Sequence, residues 1–209
     1  MKHVLIDVDG VLTDGFTDQC LQYLKEYLKD EDIDKNKIFC DLRDKFPTSW
    51  HGSKIEQLLI EEQGFVYGMK PYQEAIDFVF WLRKKEIPFK FVTIPWQNSL
   101  YWMNERKFWL EKHFGATKKD LIFAGDKSVI MGSVLIDDMV KNIIPWGESN
   151  LRGTPVLFKQ PWNQLYVEQP NITKYGKTYT DNDSGVNFLH TNDWNEIKDL
   201  VLSLSSQSI

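Results

Sequence analysis

Short apolar segments that alternate with helix-like stretches constrain the fold of this chain more than any other feature. Three stretches carry apolar residues at helical spacing, over 71–82, 98–114 and 193–204. Five apolar runs have the length and composition of buried strands: 4–6, 89–92, 121–124, 134–136 and 155–158. This alternation predicts an α/β fold, with a Rossmann-like, mostly parallel sheet and helices on both faces.

The segment between the first strand and the helix expected to begin at Pro71 is too long for an ordinary crossover. It contains two stretches with helical periodicity, 17–30 and 52–63. We therefore expect a small helical cap over 16–70, inserted after the first strand, and an α/β core formed by 1–15 and 71–209. Residues 160–186 are polar and are expected to form a loop.

Composition excludes several classes of protein. The net charge is −5 and no block of Lys or Arg is present, which argues against a nucleic-acid partner. No apolar run reaches membrane-spanning length, and Met1 leads directly into a strand without a signal peptide. Cys20 and Cys40 are too few for a disulfide framework. We expect a cytoplasmic protein without a membrane partner; a homodimer is left open.

Polar residues follow four of the predicted strands, at the point where each strand ends. In open α/β sheets, ligands bind at the carboxyl ends of the strands, so these residues are expected to lie together. Asp7 and Asp9 follow the first strand, Thr93 ends the second, Lys127 lies in the loop after the third, and Asp137 and Asp138 follow the fourth.

The acidic residues among them predict a metal site. Asp7 and Asp9 are two positions apart on an extended segment and point to the same side, where their charges repel. A second acidic pair at Asp137 and Asp138 makes the cluster costly without a cation. Mg²⁺ suits a few carboxylates with retained waters. The alternative is an acidic turn in which Asp9 caps the next helix or turn. A calcium loop of the EF-hand type is a poor match, because Gly10 is not at the position where such a loop carries its glycine.

Three further residues have two interpretations each. Lys127 is either a solvated surface charge or a clamp for a phosphoryl oxygen. Thr93 is either an ordinary strand residue or a phosphate ligand through its hydroxyl and the next backbone N–H. Arg106 falls in the apolar arc of its helix and therefore needs an anionic partner, either a phosphate or a core carboxylate, or a route to water.

These motifs resemble those of the haloacid-dehalogenase-like phosphatase superfamily. Residues 7–14, with sequence DVDGVLTD, resemble its first motif, and Thr93, Lys127 and residues 135–138 resemble the other three. Within that superfamily the chain is most similar to the 5′(3′)-deoxyribonucleotidase family, also described as cytosolic type C 5′-nucleotidases. The segments 105–115, 157–163 and 189–194 extend this resemblance over most of the chain.

The resemblance implies a magnesium-dependent hydrolysis of nucleoside monophosphates through an aspartyl-phosphate. Asp7 would be the nucleophile and Asp9 the general acid and base. Mg²⁺ would be held by Asp7, the backbone carbonyl of Asp9, and Asp137 or Asp138. Phosphate would be bound by Thr93, the backbone of Ile94, Arg106 and Lys127, and the nucleoside would be bound by Phe16, Trp50 and Phe65.

The sequence departs from the family pattern at two places. Ile94 stands where the family usually has a small or hydroxyl residue, although its backbone N–H remains, and Trp96-Gln97 replaces a stretch that often carries a lysine. Three alternatives therefore stay open. The protein could be a phosphatase of sugar phosphates or nucleic-acid ends, an inactive nucleotide-binding relative, or a non-enzymatic α/β module that leaves the acidic cluster unexplained.

Overall fold

The computed structural model of the chain describes residues 3–15, 63–96 and 99–206. Within these residues one sheet contains eight strands in the order β3-β2-β1-β4-β5-β8-β7-β6. Their bounds are β1 Val4–Ile6, β2 Phe89–Thr93, β3 Leu121–Phe123, β4 Val134–Asp137, β5 Thr154–Phe158, β6 Ile172–Tyr175, β7 Thr178–Asp181 and β8 Asn187–Thr191.

Strand β1 lies in the middle of the parallel part of the sheet. Val4 pairs with Phe89 of β2 on one side and with Val134 of β4 on the other, both in parallel register. Along the chain, β2 and β3 are added on one side of β1, and β4 then pairs with the other side of β1. The carboxyl ends of β1 and β4 therefore form a topological switch point, where such sheets bind ligands.

Helices cover both faces of the sheet because alternate strand residues point in opposite directions. Ile6 packs into one cluster with residues of the helices over 73–84, 102–114 and 194–206, whereas Leu5 packs into the other with Ile143 and Trp146. The predicted α/β fold class is confirmed. The helices are α1 Gln73–Lys84, α2 Trp102–Phe114, α3 Val140–Ser149, α4 Gln164–Val167 and α5 Trp194–Ser206, with a 3₁₀ turn at Pro161–Asn163.

Helix α2 shows which sequence signals set its ends. Gly115 adopts a left-handed conformation with φ 59° and ends the helix, as the sequence predicts. The helix begins at Trp102 and not near 98 as expected. The Ser99 hydroxyl accepts a hydrogen bond of 3.1 Å from the backbone N–H of Trp102, which satisfies one of the free N–H groups of the first turn.

The expectation of a loop over 160–186 is wrong. This segment contains the 3₁₀ turn, α4 and the antiparallel hairpin β6–β7, and β7 joins the sheet through β8. The hairpin lies at the sheet edge and is half exposed, so its strands carry Thr, Lys and Tyr rather than an apolar run. Helix α3 was also not predicted, because Pro145 and Gly147 interrupt its helical pattern.

Most of the predicted cap, residues 16–62, lies outside the described residues and stays a prediction. The chain on either side of that segment is held together: the Thr13 hydroxyl donates a 2.6 Å hydrogen bond to the Lys70 carbonyl, and the Tyr72 N–H donates one of 2.9 Å to the Leu12 carbonyl. Among the helices that the structure describes, none is long and apolar enough to cross a membrane.

Candidate active site

Three buried carboxylates meet at the switch point of the sheet. Asp7 follows β1 directly, Asp137 is the last residue of β4, and Asp138 comes next. One oxygen from each lies within 4.8 Å of the others. Their exposed fractions are only 6%, 0% and 1%, so water screens little of their mutual repulsion. The structure thus brings together three of the four aspartates singled out in the sequence.

Lys127 supplies positive charge inside this cluster. Its Nζ lies 2.7 Å from Asp7 Oδ1 and 2.6 Å from Asp137 Oδ2, and the residue is 2% exposed. Burial acts to lower the pKa of Lys127, but the charges of Asp137 and Asp7 outweigh burial and raise it above the ordinary value. The interpretation of Lys127 as a solvated surface charge is therefore wrong.

One lysine does not neutralise three carboxylates. Burial, followed by the charge of Asp137, raises the pKa of Asp7 to about 8 despite the opposing charge of Lys127. The same two causes raise the pKa of Asp138 well above its usual range. Asp138 Oδ1 is also buried without a hydrogen-bond partner. A cluster with excess negative charge and a bare carboxylate oxygen fits a divalent cation.

The adjacent carboxylates Asp137 and Asp138 have different surroundings. Asp137 accepts hydrogen bonds from the Met139 backbone N–H at 2.9 Å and from Asn142 Nδ2 at 3.0 and 3.1 Å, besides its contact with Lys127. Both Asp137 oxygens are therefore occupied by donors. Asn142, in the first turn of α3, was not singled out in the sequence, because α3 itself was not predicted.

The turn after β1 brings the backbone against Asp138. Gly10 has φ +77°, and a Cβ at this position would lie 2.4 Å from Asp138 Cγ. Only glycine accommodates both the left-handed conformation and this close approach. The Val8 N–H in the same turn donates a 2.7 Å hydrogen bond to Asp7 Oδ1, which fixes the carboxylate.

Asp9 faces a buried arginine instead of the acidic cluster. Arg106 is fully buried in α2, and its Nη2 donates to both carboxylate oxygens of Asp9, at 2.7 and 2.8 Å. The guanidinium also lies over the rings of Trp102 and Trp109, at 4.8 and 5.5 Å. The anionic partner that the sequence required is thus a carboxylate of the site, while Arg106 Nε and Nη1 have no hydrogen-bond partner among residues 3–15, 63–96 and 99–206.

The remaining residues predicted to bind phosphate or the nucleoside differ in how exposed they are. Thr93 is buried at the end of β2, and the side chain of Ile94 is 40% exposed beside a cavity of about 270 Å³ that also borders Lys127. Phe65 lies in the core, 2% exposed, with its ring 5.9 Å from that of Trp102. The structure therefore does not present Phe65 at an open pocket. Phe16 and Trp50 lie outside the described residues.

A turn after β5 contacts the site from the far side. Trp162 Nε1 donates a 2.8 Å hydrogen bond to Asp138 Oδ2, and Asn163 Nδ2 donates one of 2.9 Å to the Asp138 carbonyl. Gln160 Nε2 donates one of 2.7 Å to the Gly10 carbonyl. The sequence marked 157–163 as a segment of interest but gave these residues no role, since nothing local indicates what they touch.

Comparisons with known proteins identify the family of the chain. The sequence model of the family described as "5' nucleotidase, deoxy (Pyrimidine), cytosolic type C protein" matches residues 1–179 of the chain. A "Putative 5'(3')-deoxyribonucleotidase" of Bordetella bronchiseptica is 25% identical over 175 residues, which is 81% of this chain and 89% of that protein. A protein of the same description from Vibrio phage KVP40 is 30% identical over 113 residues, covering 53% of this chain and 66% of that protein.

Solved structures share the fold at low sequence identity. A haloacid dehalogenase-like family hydrolase of Streptococcus pneumoniae superposes with a TM-score of 0.62 at 12% identity, covering 96% of this chain and 98% of that one. A HAD family hydrolase of Deinococcus radiodurans, solved with bound phosphate and sodium, has a TM-score of 0.55 at 13% identity and covers 97% and 96%. The chain therefore shares its fold with haloacid-dehalogenase-like hydrolases, belongs to the cytosolic type C 5′-nucleotidase family and is a phosphoric monoester hydrolase.

Proposed function

We propose that this enzyme hydrolyses nucleoside monophosphates in a Mg²⁺-dependent reaction, through an aspartyl-phosphate on Asp7. The observation that carries the proposal is the contact of buried Asp7 with Lys127 inside a cluster of excess negative charge. An anionic nucleophile needs neighbouring cations to remain deprotonated and to approach a phosphate dianion. Lys127 provides one such charge, and a divalent ion would provide the other.

Asp7 and Asp138, together with the backbone carbonyl of Asp9, are the residues that would hold Mg²⁺. Asp138 is favoured over Asp137 because its Oδ1 has no hydrogen-bond partner, whereas both oxygens of Asp137 accept from Lys127, Asn142 or the Met139 N–H. Asp137 would instead orient Lys127. The bound ion would supply positive charge that offsets the repulsion between phosphate and carboxylate.

The protein residues would then divide the two chemical steps. A carboxylate oxygen of Asp7 attacks phosphorus in line, the bond from phosphorus to the nucleoside oxygen breaks, and Asp9 donates a proton to that oxygen. Asp9 next takes a proton from water, whose oxygen attacks phosphorus and releases inorganic phosphate from Asp7. Arg106 holds Asp9 for both transfers through its bidentate contact.

The phosphate would be bound by Lys127, Thr93 and the backbone N–H of Ile94, at the carboxyl edge of the sheet. The unpartnered Nε and Nη1 of Arg106 offer further donors. The nucleoside assignment rests on the family and its named relatives, with Phe16 and Trp50 as the proposed base contacts. A cytoplasmic location, a small-molecule substrate and the absence of a nucleic-acid or membrane partner belong to the same proposal, with a homodimer left open.

The decisive experiment is phosphate release from a panel of deoxynucleoside, ribonucleoside and sugar monophosphates and a 5′-phosphorylated oligonucleotide, each with Mg²⁺ and with EDTA. We expect the highest kcat/KM with a nucleoside monophosphate, and no release in EDTA. Preference for a sugar phosphate or an oligonucleotide end would overturn the substrate assignment. Nucleotide binding without release in Mg²⁺ would indicate an inactive relative.

A further inference from the structure

Within the described part of the chain, the buried carboxylate of Asp138 has a single side-chain donor. Its Oδ2 accepts a 2.8 Å hydrogen bond from Trp162 Nε1, whereas its Oδ1 has no partner among those residues, and Asp138 is 1% exposed. The indole N–H is one donor and contacts one carboxylate oxygen, so the other oxygen receives no hydrogen bond from the indole. Trp162 therefore determines the direction in which Asp138 presents its free oxygen.

The turn that carries Trp162 is fixed on both sides of the site. Asn163 Nδ2 donates to the carbonyl of Asp138 at 2.9 Å and to that of Phe158 at 2.8 Å, so the turn is attached to the backbone after β4 and to the end of β5. Gln160 Nε2 donates to the Gly10 carbonyl at 2.7 Å. The same turn thus contacts the loop after β1 and the loop after β4.

The internal geometry of this turn is also determined. The Gln160 backbone N–H donates to Asn163 Oδ1 at 3.1 Å, and His190 Nε2 lies 3.1 Å from that oxygen. Because Asn163 Nδ2 is the donor to two carbonyls, its Oδ1 is an acceptor, and His190 contributes the hydrogen. Every polar atom of the Asn163 side chain is therefore used to hold the turn in place.

We propose that Gln160, Trp162 and Asn163 form a brace that positions Asp138 for the divalent cation, with Trp162 as its positioning residue. This inference rests on the proposed function, because it requires an ion held by Asp7 and Asp138. Partners that orient a metal ligand without touching the metal change metal affinity by roughly ten- to a hundredfold when removed. The brace thus sets the metal requirement of the enzyme without contacting the substrate.

The test measures metal binding directly, by electron paramagnetic resonance of Mn²⁺ added to the wild type and to Trp162→Phe. The phenyl ring keeps an aromatic group but removes the donor. We expect Mn²⁺ affinity to fall roughly tenfold or more, and the Mg²⁺ concentration for half-maximal activity to rise in parallel. At saturating Mg²⁺ the KM for the best monophosphate of the panel should stay within about twofold of wild type, since Trp162 acts only through Asp138.

Two further variants separate the hydrogen bond from packing. Trp162→Gln keeps an N–H donor at the same number of bonds from Cα as the indole nitrogen, and it should recover affinity relative to Trp162→Phe. Tyr166→Phe removes an aromatic donor to a carboxylate remote from the cluster, the 2.7 Å contact from Tyr166 Oη to Asp181 Oδ2. This matched control should bind Mn²⁺ as the wild type does.

The outcomes distinguish the brace from the proposed function. Wild-type affinity in Trp162→Phe, or an equal loss in Trp162→Phe and Trp162→Gln, would overturn the brace and leave the phosphatase assignment intact. A wild-type protein that binds no Mn²⁺ would contradict the metal site itself. If circular dichroism shows that Trp162→Phe does not fold, the comparison of Trp162→Gln with wild type still tests the donor. Retained Mn²⁺ affinity in Trp162→Gln supports the brace, and a tenfold loss of Mn²⁺ affinity overturns it.

Discussion

Asp7 and Asp77 are the same residue type in different surroundings. Asp77 lies exposed on α1, where it accepts a 3.0 Å hydrogen bond from Gln73, whereas Asp7 is buried against Lys127 at the end of β1. Burial and the charge of Asp137 raise the pKa of Asp7 to about 8. The charges around Asp7 therefore decide whether its carboxyl group is an anion, which is the state that the proposed nucleophile requires.

Replacing Asp7 with Asn should abolish turnover, because an amide cannot form the acyl-phosphate. We expect kcat to fall by at least about a thousandfold, a magnitude typical of a lost nucleophile. Phosphate release with the best monophosphate measures the effect, and Asp77→Asn is the matched control with unchanged activity. Turnover at a tenth of the wild-type rate or more would contradict the assignment of the nucleophile.

Gly10 is a second single residue on which the geometry of the site depends. Gly10→Ala should lower the free energy of unfolding by about 1–3 kcal/mol, because Cβ would be strained at φ +77° and would collide with the Asp138 carboxylate. Urea denaturation measures this change. Gly125→Ala is the control, since a Cβ there meets nothing within 4 Å. A Gly10→Ala protein as stable as Gly125→Ala would show that the turn is not constrained as described.

At the scale of secondary-structure elements, α2 joins two parts of the molecule through adjacent residues. Arg106 binds Asp9, while Glu105, 4% exposed, accepts hydrogen bonds from the backbone N–H groups of Gly64 at 2.6 Å and Val66 at 3.1 Å. Helix α2 therefore holds both the loop after β1 and the turn at 63–68, which belongs to the last part of the predicted cap.

Glu105→Gln should destabilise the protein by about 1–3 kcal/mol, the cost of leaving one buried N–H without an acceptor. An amide offers only one oxygen, so one of the two contacts with Gly64 and Val66 is lost. Chemical denaturation measures the loss, and Glu111→Gln, an exposed position on the same helix, is the control. A change below about 0.5 kcal/mol for Glu105→Gln would argue against this anchoring role.

For the whole molecule, we expect stability to be coupled to the proposed cation, because a native-state ligand stabilises the folded protein by mass action. Mg²⁺ at about 100 times its dissociation constant would add about 2.7 kcal/mol, which raises Tm on the order of 5–10 °C for a chain of this size. Differential scanning fluorimetry with Mg²⁺ and with EDTA measures the shift. The Asp138→Asn variant should lose most of it, and an equal shift in that variant would contradict the predicted ligand set.

Stability should also depend on pH through His190, which lies half-buried between β5 and β7. Burial, followed by the charges of Lys159 and Lys174, lowers the pKa of His190 to about 4. In the unfolded chain His190 takes up a proton near pH 6.5, whereas in the folded protein it does so only near pH 4. Because of this residue, the free energy of unfolding falls as pH drops through that interval. His190→Gln should therefore lose less stability between pH 7 and pH 5 than wild type does in urea denaturation; identical slopes would contradict this origin.

The α/β class and the acidic motifs after β1 and β4 could be predicted from the sequence, because buried parallel strands are apolar runs and because carboxylates at strand ends are conspicuous. The sequence did not predict α3 or the hairpin β6–β7. Pro145 interrupts the helical pattern of α3, and exposure at the sheet edge removes the apolar run that would indicate the strands of the hairpin. Phosphate and metal roles from the resemblance, and the cap over 16–70, remain predictions.

Which side chains of the site contact one another could not be predicted from the sequence. It paired Arg106 with Asp9, placed Lys127 between Asp7 and Asp137, and brought Trp162 against Asp138. These contacts join residues from different strands and loops, and their residue types are ordinary when viewed locally. Sequence patterns report the local periodicity and burial of each segment, whereas the partner of a buried charge is set by how the sheet orders its strands.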